Sequence, residues 1–395
     1  KLSYQWSEVI EKDDTFYDGF RATLNAAGVD IAALSGPMAI PTPVPPKPGG
    51  TFVVAVGAQP DTLFPDFAST ASSVLVQSVV YNGLTKLDRH GNAVGDLAES
   101  WTVSDDELTW TFKIQEGVKW HDGQPLTADD VKFSFEFPAD PEYVGNGFSG
   151  VAPLVGAQAK TEDKANEIAG VKVIDEQTIS FTTNVPYALF LETVAIRYIM
   201  PAHVLKDIPV AEYAESAQAR SPVGSGPYQL TDWKPDESLT FQAFEDYAGQ
   251  RAYIDTYIWK ILPETATQIT ELVAGGVDAV TGVSADDFPA LEENPNLQTM
   301  HAPGTRYTFM EFNHSKPMFS DAQVRQALCY AVDKQAMLDA LDGGFGTIAL
   351  GPVHPSLPEY SLTLKGYPYN PDEAKTLLAD AGWTDDDGDG VLESH

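Results

Sequence analysis

Residues 110–136 read WTFKIQEGVKWHDGQPLTADDVKFSFE and carry the clearest structural pattern in the chain. Trp110, Phe112 and Ile114 alternate with polar residues, which is typical of a strand with one buried face. The Gln-Glu-Gly sequence at 115–117 then favours a tight turn, because glycine adopts the positive φ that such turns need. The first part of the stretch therefore predicts a strand and the turn that ends it.

The second part of the stretch predicts another strand and a helix. Val118 and Trp120 resume the alternation. Pro125 ends this strand, because proline has no amide hydrogen for the ladder. Thr127 and Asp130 have the spacing of an N-terminal capping box. The whole run is thus predicted to be a structural unit of two strands and a capped helix.

The rest of the chain predicts a mixed α/β protein. Residues 51–56 form a nearly continuous apolar run, typical of a strand buried on both faces. Between about residues 83 and 183, short strands alternate with turns, which indicates an antiparallel meander with one long loop at 140–164. After Leu262, predicted helices alternate with strands, and the first helix ends at a glycine pair.

Several elements of this last region are predicted individually. Residues 297–300 and 307–312 are expected to be strands. Ser320 begins a helix whose apolar residues keep helical spacing and which is expected to break and restart at Asp333. Asn370 and the proline after it begin one more helix.

Composition limits the class of function. The 395 residues include 57 acids and 24 bases, for a net charge of −33. This charge argues against nucleic acid and anionic lipid as partners, since both bind clustered Lys and Arg. No apolar run approaches the roughly 20 residues of a membrane helix. The single cysteine, Cys329, cannot form an internal disulfide, so cysteine usage leaves the compartment open.

Beyond these patterns, an ordered set of short segments resembles one protein family, the peptide-type extracellular solute-binding proteins of ABC importers. The run at 110–136 resembles the family's hallmark segment. The other segments follow in the family's order, and they are Gly50–Ala55, Gln59–Pro65, Tyr81–Leu84, Leu97–Trp101, Gly224–Tyr228, Phe312–Asn313 and Pro317–Leu328. The resemblance covers roughly residues 50 to 393.

The resemblance implies a periplasmic-binding-protein-like architecture of two lobes with a β-rich inserted domain. Domain I would comprise residues 50–82 and 200–262, and the β-rich domain II residues 83–199. Domain III would be the α/β unit at 263–395. It is expected to be incomplete, since family members continue for roughly another hundred residues. Residues 1–49 would be an appendage with a proline-rich linker, suited to a spacer behind a lipid anchor or to a free tail.

The resemblance also implies function. We expect an extracytoplasmic receptor for peptides or a related small solute that binds by closing its lobes and then meets the membrane permease of the importer. Such a protein would be periplasmic or anchored on the cell surface, would act as a monomer and would need no cofactor. No catalysis is expected.

Two short regions are candidates for ligand contact. Ser69 and Thr70 follow the first strand in a loop that faces the ligand in the family. They suit helix capping before residues 74–81 equally well.

The second candidate region is the strand predicted at 307–312, which the resemblance places along the cleft. Arg306, Tyr307, Glu311 and Asn313 are the expected contacts, and an aromatic with an acid suits an amine-bearing ligand. Alternatively, Tyr307 and Phe309 face the core and Glu311 makes an internal pair.

An acidic loop near the end of the chain is a candidate calcium site. Asp385, Asp387 and Asp389 occupy positions 1, 3 and 5 of an EF-hand-like loop. Val391 would donate its carbonyl at position 7, and Glu393 at position 9 would stand in for the missing acid at position 12. The alternative is a solvated acidic turn without a metal.

Catalytic motifs are not found in the sequence. No two histidines have the spacing of a metal pair, and they are assigned to turns and the surface. The histidines are His90, His121, His203, His301, His314, His354 and His395. Two other functions stay open: a secreted hydrolase that uses two carboxylates, such as a glycosidase, and a calcium-stabilised surface module.

Overall fold

The protein has the mixed α/β fold that the sequence predicts. The structure is a computed structural model, and it describes residues 47–88, 91–300, 307–353, 360–361 and 363–394. Of the appendage predicted at 1–49, residues 1–46 lie outside these ranges. The described residues from Gly50 onwards form one compact unit. The division of residues 50–395 into three domains stays a prediction.

Thirteen strands are described, and their bounds are β1 Thr51–Val56, β2 Thr85–Leu87, β3 Ala93–Gly95, β4 Ala98–Val103, β5 Thr109–Ile114, β6 Val171–Asp175, β7 Thr178–Thr182, β8 Tyr228–Lys234, β9 Ser238–Ala243, β10 Thr256–Ile261, β11 Ala279–Val280, β12 Trp383–Thr384 and β13 Glu393–Ser394.

Among the described residues, the α-helices are α1 Ala71–Val80, α2 Ala128–Glu136, α3 Ala157–Thr161, α4 Ala202–Leu205, α5 Thr265–Ala274, α6 Phe288–Glu292, α7 Pro317–Ser320, α8 Ala322–Ala331, α9 Lys334–Asp342 and α10 Pro371–Asp380. Shorter helical turns occur between them. None of these helices is long and apolar enough to cross a lipid bilayer.

The main sheet joins distant parts of the chain in the order β11-β1-β10-β9-β8. β1 pairs in parallel with β10 over its full length, from Thr51 opposite Thr256 to Val56 opposite Ile261. It pairs in parallel with β11 on its other side. Val54 and Ala55 in β1 are buried, as expected for a strand flanked by two neighbours. The long segment between β1 and β8 is therefore an excursion from this sheet, and the chain returns to the sheet with β8, β9 and β10.

The excursion contains the predicted antiparallel meander. Its sheet has the order β4-β5-β7-β6, with all pairs antiparallel. Phe112 and Ile114 of β5 are fully buried, while Lys113 between them is exposed. The alternation read from the sequence is thus confirmed for this strand.

The prediction of a second strand within residues 110–136, at Val118 and Trp120, is wrong. Val118 and Trp120 are buried as expected, but Lys119 makes only an isolated bridge with Pro125. Backbone hydrogen bonds close this segment into a compact loop, in which Leu126 N donates to the carbonyl of Val118 at 3.0 Å. In this segment, the alternation of apolar and polar residues shows which side chains are buried. It does not show that the segment pairs with a neighbouring strand.

The capped helix that follows is confirmed as α2. The Asp130 carboxylate accepts from the backbone N–H of Thr127 at 2.9 Å, which is one half of a capping box. Its other oxygen accepts from the N–H of Ala202 at 3.0 Å. The cap therefore also fixes the helix against the segment that begins α4.

Two clusters of buried apolar residues form the core. One fills the β-rich excursion and includes Trp120 and Phe135. The other lies on the main sheet and includes Phe64 and Tyr81. The loop predicted at 140–164 is only partly a loop, because it contains α3 and contributes buried side chains to the first cluster.

The region after β10 matches the predictions in its helices but not in its strands. The predicted cap at Ser320 is wrong, because Ser320 is the last residue of α7 and Asp321 caps α8 by accepting from Gln323 N at 2.8 Å. The predicted break at Asp333 is confirmed, because Asp333 accepts a hydrogen bond from Ala336 N at 3.0 Å and caps α9. The strands predicted at 297–300 and 307–312 are irregular chain. Among the described residues, no strand pairs with either segment, and alternation alone does not stabilise a strand without a partner.

An ion pair with both side chains largely buried joins the two clusters. Arg197 Nη2 lies 2.5 Å from Asp66 Oδ1. Arg197 also donates to the carbonyls of Ser134 at 3.1 Å and Gly147 at 3.2 Å. A Cβ on Gly147 would come within 2.6 Å of Asp66 Oδ1, so only glycine fits beside the pair. Burial raises the pKa of Asp66, and the Arg197 guanidinium opposes that rise.

We expect Arg197→Met to reduce the free energy of unfolding by about 3 kcal/mol, because it leaves a buried carboxylate without its counter-charge. Urea unfolding at pH 7 measures this loss. The matched control is Arg251→Met, which breaks a more exposed pair with Glu245 and Asp255 and should lower the free energy of unfolding much less, because solvent screens this pair. Equal losses in the two variants would contradict the structural role of the buried pair.

Candidate ligand-binding site

The loop between β1 and α1 is organised around the carboxylate of Asp61. Asp61 Oδ2 accepts from Ser69 N at 3.0 Å and from Ser69 Oγ at 2.5 Å. Asp61 Oδ1 accepts from Thr70 Oγ1 at 3.1 Å and also from the hydroxyl of Ser73. Partial burial acts to raise the pKa of Asp61, but these hydrogen bonds outweigh it and hold the pKa well below its usual value.

The two predicted ligand residues in this loop have structural partners. Thr70 is the N-cap of α1, and its Oγ1 accepts from Ser73 N at 3.2 Å. Ser69 is exposed and donates its hydroxyl hydrogen to Asp61. The capping alternative is therefore correct for Thr70. Contact between these residues and a ligand stays a prediction.

Asp61 was not singled out by the sequence analysis, although it lies within one of the segments that resemble the family. Its side chain is exposed and ionised, and three hydroxyls fix its position. An aspartate followed by several Ser and Thr residues is the only pattern that could have indicated this role.

The second predicted region presents an exposed aromatic pair. Tyr307 and Phe309 are 42% and 67% exposed, and their ring centres lie 5.5 Å apart. The alternative that both face the core is therefore wrong. Glu311 is exposed, and among the described residues it has no hydrogen-bond or ion-pair partner. The alternative of an internal pair for Glu311 is also not observed. The predicted contact Arg306 lies outside the described residues.

Asn313 has a local structural role. Its Oδ1 accepts from Ser315 N at 3.0 Å and from Ser315 Oγ at 2.7 Å, which forms a side-chain turn before α7. No hydrogen bond, ion pair or ring contact among the described residues joins the Ser69–Thr70 loop to this segment. Their common role in one cleft stays a prediction.

His121 lies in a turn, as the sequence predicts, but its side chain is buried. Its Nδ1 accepts from Gly224 N at 3.2 Å, and its Nε2 lies 3.0 Å from the carbonyl of Gly226. These partners require the tautomer that carries its proton on Nε2. The ring also contacts Phe244 edge to face, with ring centres 4.9 Å apart. Burial lowers the pKa of His121 to about 4, so the neutral ring is the folded form.

The Gly-Ser-Gly sequence at 224–226, which we call the glycine signature, contacts His121 and also the end of α1. Gly226 N donates to the carbonyl of Val80 at 2.8 Å. A Cβ on Gly224 would meet the same carbonyl oxygen at 2.0 Å, so glycine is needed there. Ser225 Oγ donates to Asn82 Oδ1 at 3.2 Å. Ser225 is thus a buried structural residue and not a nucleophile.

The three aspartates of the acidic loop lie close together and are exposed. Each of Asp385, Asp387 and Asp389 offers one carboxylate oxygen, and these oxygens lie within 4.8 Å of one another. Asp385 Oδ1 and Oδ2 accept from the N–H groups of Gly388 at 2.8 Å and Gly390 at 3.1 Å. Gly390 has a φ of +87°, as the sharp turn at position 6 requires.

The remaining predicted calcium ligands close the loop. Asp389 Oδ1 accepts from Val391 N at 2.8 Å. Glu393 Oε2 accepts from Asp386 N at 3.1 Å, and Glu393 lies in β13, opposite Thr384. The carboxylate of Glu393 is therefore turned back towards the loop.

Solved structures of known proteins share this fold. AppA from Bacillus subtilis, an oligopeptide-binding protein in complex with a nonapeptide, superposes with a TM-score of 0.73 at 30% identity, covering 88% of this chain and 67% of that one. NikZ from Campylobacter jejuni in complex with Ni(L-His) gives 0.72 at 26% identity, covering 87% and 65%. The protein thus has a periplasmic-binding-protein-like fold.

Sequence comparison identifies the family. A family model for bacterial extracellular solute-binding proteins, family 5, matches residues 92–394. The oligopeptide-binding protein AppA of Bacillus subtilis is 32% identical over 88% of this chain and 62% of its own length. Heme-binding protein A of Haemophilus influenzae is 32% identical over 92% of this chain and 67% of its own length. The chain belongs to the bacterial extracellular solute-binding proteins, family 5.

The relatives also show how much of their length this chain covers and how they are named. The dipeptide-binding protein of Escherichia coli is 29% identical over 84% of this chain and 63% of its own length, so the chain spans a little under two thirds of several relatives. These relatives are named for what they bind and not for a reaction. The family is extracellular by description, which agrees with the expected extracytoplasmic location.

We expect the stability of the protein to fall as the pH falls from about 6.5 to 4, because the unfolded chain then binds a proton at residue 121 that the folded chain excludes. The loss for this group approaches about 3 kcal/mol at the lower limit, and above pH 6.5 the group contributes no pH dependence. Urea unfolding across this range should show a steeper pH dependence for the wild type than for His121→Gln.

The matched control for this prediction is His314→Gln, since His314 is exposed. This variant should retain the wild-type pH dependence, while carboxylate titration affects all three proteins equally. An unchanged slope in His121→Gln would contradict the buried neutral ring.

Proposed function

We propose that the protein is an extracytoplasmic receptor of an ABC importer that binds a peptide or a related small solute without altering it. Membership of family 5 is the observation that carries this proposal. AppA, the dipeptide-binding protein and the glutathione-binding protein GsiB of Escherichia coli support a peptide-like solute by their names. Heme and Ni(L-His) in the names of other relatives widen the class to small solutes.

Binding would proceed by closure of two lobes around the solute. The solute would bind the closed form better than the open form and so shift the population towards it. The closed receptor would then meet the importer's permease as a monomer, either free in the periplasm or held at the cell surface by a lipid. No step in this cycle needs a catalytic group or a cofactor.

The exposed aromatic pair and the unpaired acid support a cleft for an amine-bearing solute. Tyr307 and Phe309 present apolar ring faces, and Glu311 presents a carboxylate that is free among the described residues. A peptide carries an ammonium group and apolar side chains, which complement these two features. Ser69 would add a hydroxyl oxygen at the start of α1.

We expect short peptides to raise the melting temperature of the protein, with Tyr307→Ala and Glu311→Gln each weakening peptide affinity by about tenfold or more. Calorimetric titration of each variant measures the affinity. The matched controls are Tyr369→Ala and Glu293→Gln, which alter exposed residues of the same types. If the controls weaken binding as much as the test variants, the proposed contacts are wrong. Conversion of the peptide to products would overturn the receptor proposal in favour of a hydrolase.

We also propose that the loop at 385–393 binds Ca²⁺, with Asp385, Asp387 and Asp389 as carboxylate ligands and Glu393 and the carbonyl of Val391 completing the set. The convergence of the three carboxylates supports this proposal. Without a cation, their mutual repulsion destabilises the loop.

Calorimetric titration with CaCl₂ should show saturable binding that Asp387→Ala weakens by about tenfold or more. Asp386→Ala is the matched control, because it removes the same charge from position 2 of the loop, which does not provide a ligand. Calcium affinity that falls equally in both variants would indicate diffuse attraction to an acidic surface and no defined site.

A further inference from the structure

A pocket of about 360 Å³ opens beside β8, away from the residues predicted to contact the solute. Its walls come from Gln59 in the loop after β1, from Arg220 and Ser221, and from β8 and the turn after it. β8 ends the main sheet, so its outer side has no neighbouring strand among the described residues. Of the pocket's lining residues, only Gln59 belongs to a segment that carries the family resemblance, and none belongs to the acidic loop at 385–393.

Arg220 supplies a cation that is fixed in place. Its Cζ lies 4.3 Å from the centre of the Trp233 ring, and this stacking restricts the guanidinium group. Among the described residues, the side chain of Arg220 has no hydrogen-bond or ion-pair partner. Its N–H groups remain available for a carboxylate that enters the pocket.

Trp233 adds a second unused donor. Its Nε1 is buried and has no hydrogen-bond partner in the described parts of the chain. Buried indole N–H groups usually have partners. The described fold therefore leaves two donor groups without a hydrogen-bond partner: the Arg220 guanidinium, which lines the pocket, and the buried N–H of Trp233.

The pocket wall is held rigidly. Gln59 Nε2 donates to Asp236 Oδ1 at 2.7 Å, and Asp236 N donates to Gln59 Oε1 at 3.1 Å. The pairing of β8 with β9 is irregular between Leu230 and Asp232. In a regular strand, successive side chains point to opposite faces. This irregularity explains why residues 230–233 all line one pocket.

The charge of Asp232 and the apolar side chain of Leu230 limit the chemical classes of ligand that could bind in this pocket. Asp232 is an exposed carboxylate in the same pocket as Arg220, yet the two form no ion pair. A polyanion would be repelled by Asp232, whereas a ligand with both a carboxylate and an ammonium group would satisfy both charges. Leu230 and Pro235 give the pocket an apolar surface for a short aliphatic group.

We propose that this pocket is a second binding site, for a free α-amino acid with an aliphatic side chain. Arg220 holds the carboxylate, Asp232 holds the ammonium group, and the apolar wall contacts the side chain. The site is independent of the cleft proposed for the transported solute, so either proposal stands if the other fails.

Ligand-observed saturation-transfer NMR tests the proposal with leucine as the probe. Two analogues each lack one charge: 4-methylpentanoate lacks the ammonium group, and 3-methylbutylamine lacks the carboxylate. We expect leucine to bind at millimolar concentration and each analogue to bind at least about tenfold more weakly. Arg220→Gln should weaken leucine binding by about tenfold or more, and Asp232→Asn should also weaken it.

Arg251→Gln is the matched control, because it removes one arginine charge from a pair outside the pocket. It should leave leucine binding unchanged. The melting temperature of each variant establishes that it is folded, and Asp232→Asn provides the test if Arg220→Gln does not fold. Leucine binding that is absent, or equal in the wild type and in the pocket variants, would overturn the proposal. Equal binding of leucine and 4-methylpentanoate would overturn the role of Asp232.

Discussion

The parallel pairing of β1 with β10 is the constraint on which the rest of the fold depends. It brings Thr51 opposite Thr256 and keeps six consecutive residue pairs in register. A parallel pair needs a long connection, and here that connection contains a complete β-rich sheet with its own core. Closing so long a loop costs conformational entropy that grows only slowly with its length, so the fold tolerates the excursion if contacts hold it against the main sheet.

Two buried polar contacts hold the excursion in place. His121 contacts the glycine signature at Gly224 and Gly226, which in turn lies against the end of α1. The Asp66–Arg197 pair joins the loop after β1 to the carbonyls around residue 147. A buried polar group that loses its partner raises the free energy of the folded state, so each of these contacts favours one arrangement of the excursion on the main sheet. Residues 110–136 therefore belong to the part of the protein that holds the fold together. The exposed groups suited to a solute, Tyr307 and Glu311, lie outside this stretch.

The sequence predicts those features that local chemistry determines. The cap at Asp333 and the strand containing Phe112 need only neighbouring residues and a periodic pattern, and both are observed. The partners of His121 and Asp66 lie more than 100 residues away, so no spacing rule could find them. Alternation at 307–312 predicted a strand that is not formed. A strand depends on a neighbour for its hydrogen bonds, and a sequence pattern does not specify that neighbour.

The buried polar contacts and the exposed polar groups have different roles in this fold. His121 and the Asp66–Arg197 pair are buried and hold the fold, while Tyr307, Glu311 and Arg220 remain exposed or unpaired among the described residues. Native mass spectrometry of the protein incubated with a defined mixture of short peptides tests this account most directly. The account predicts complexes with one peptide that is released at its original mass. Peptides released as fragments, or no complex with any peptide, would contradict it.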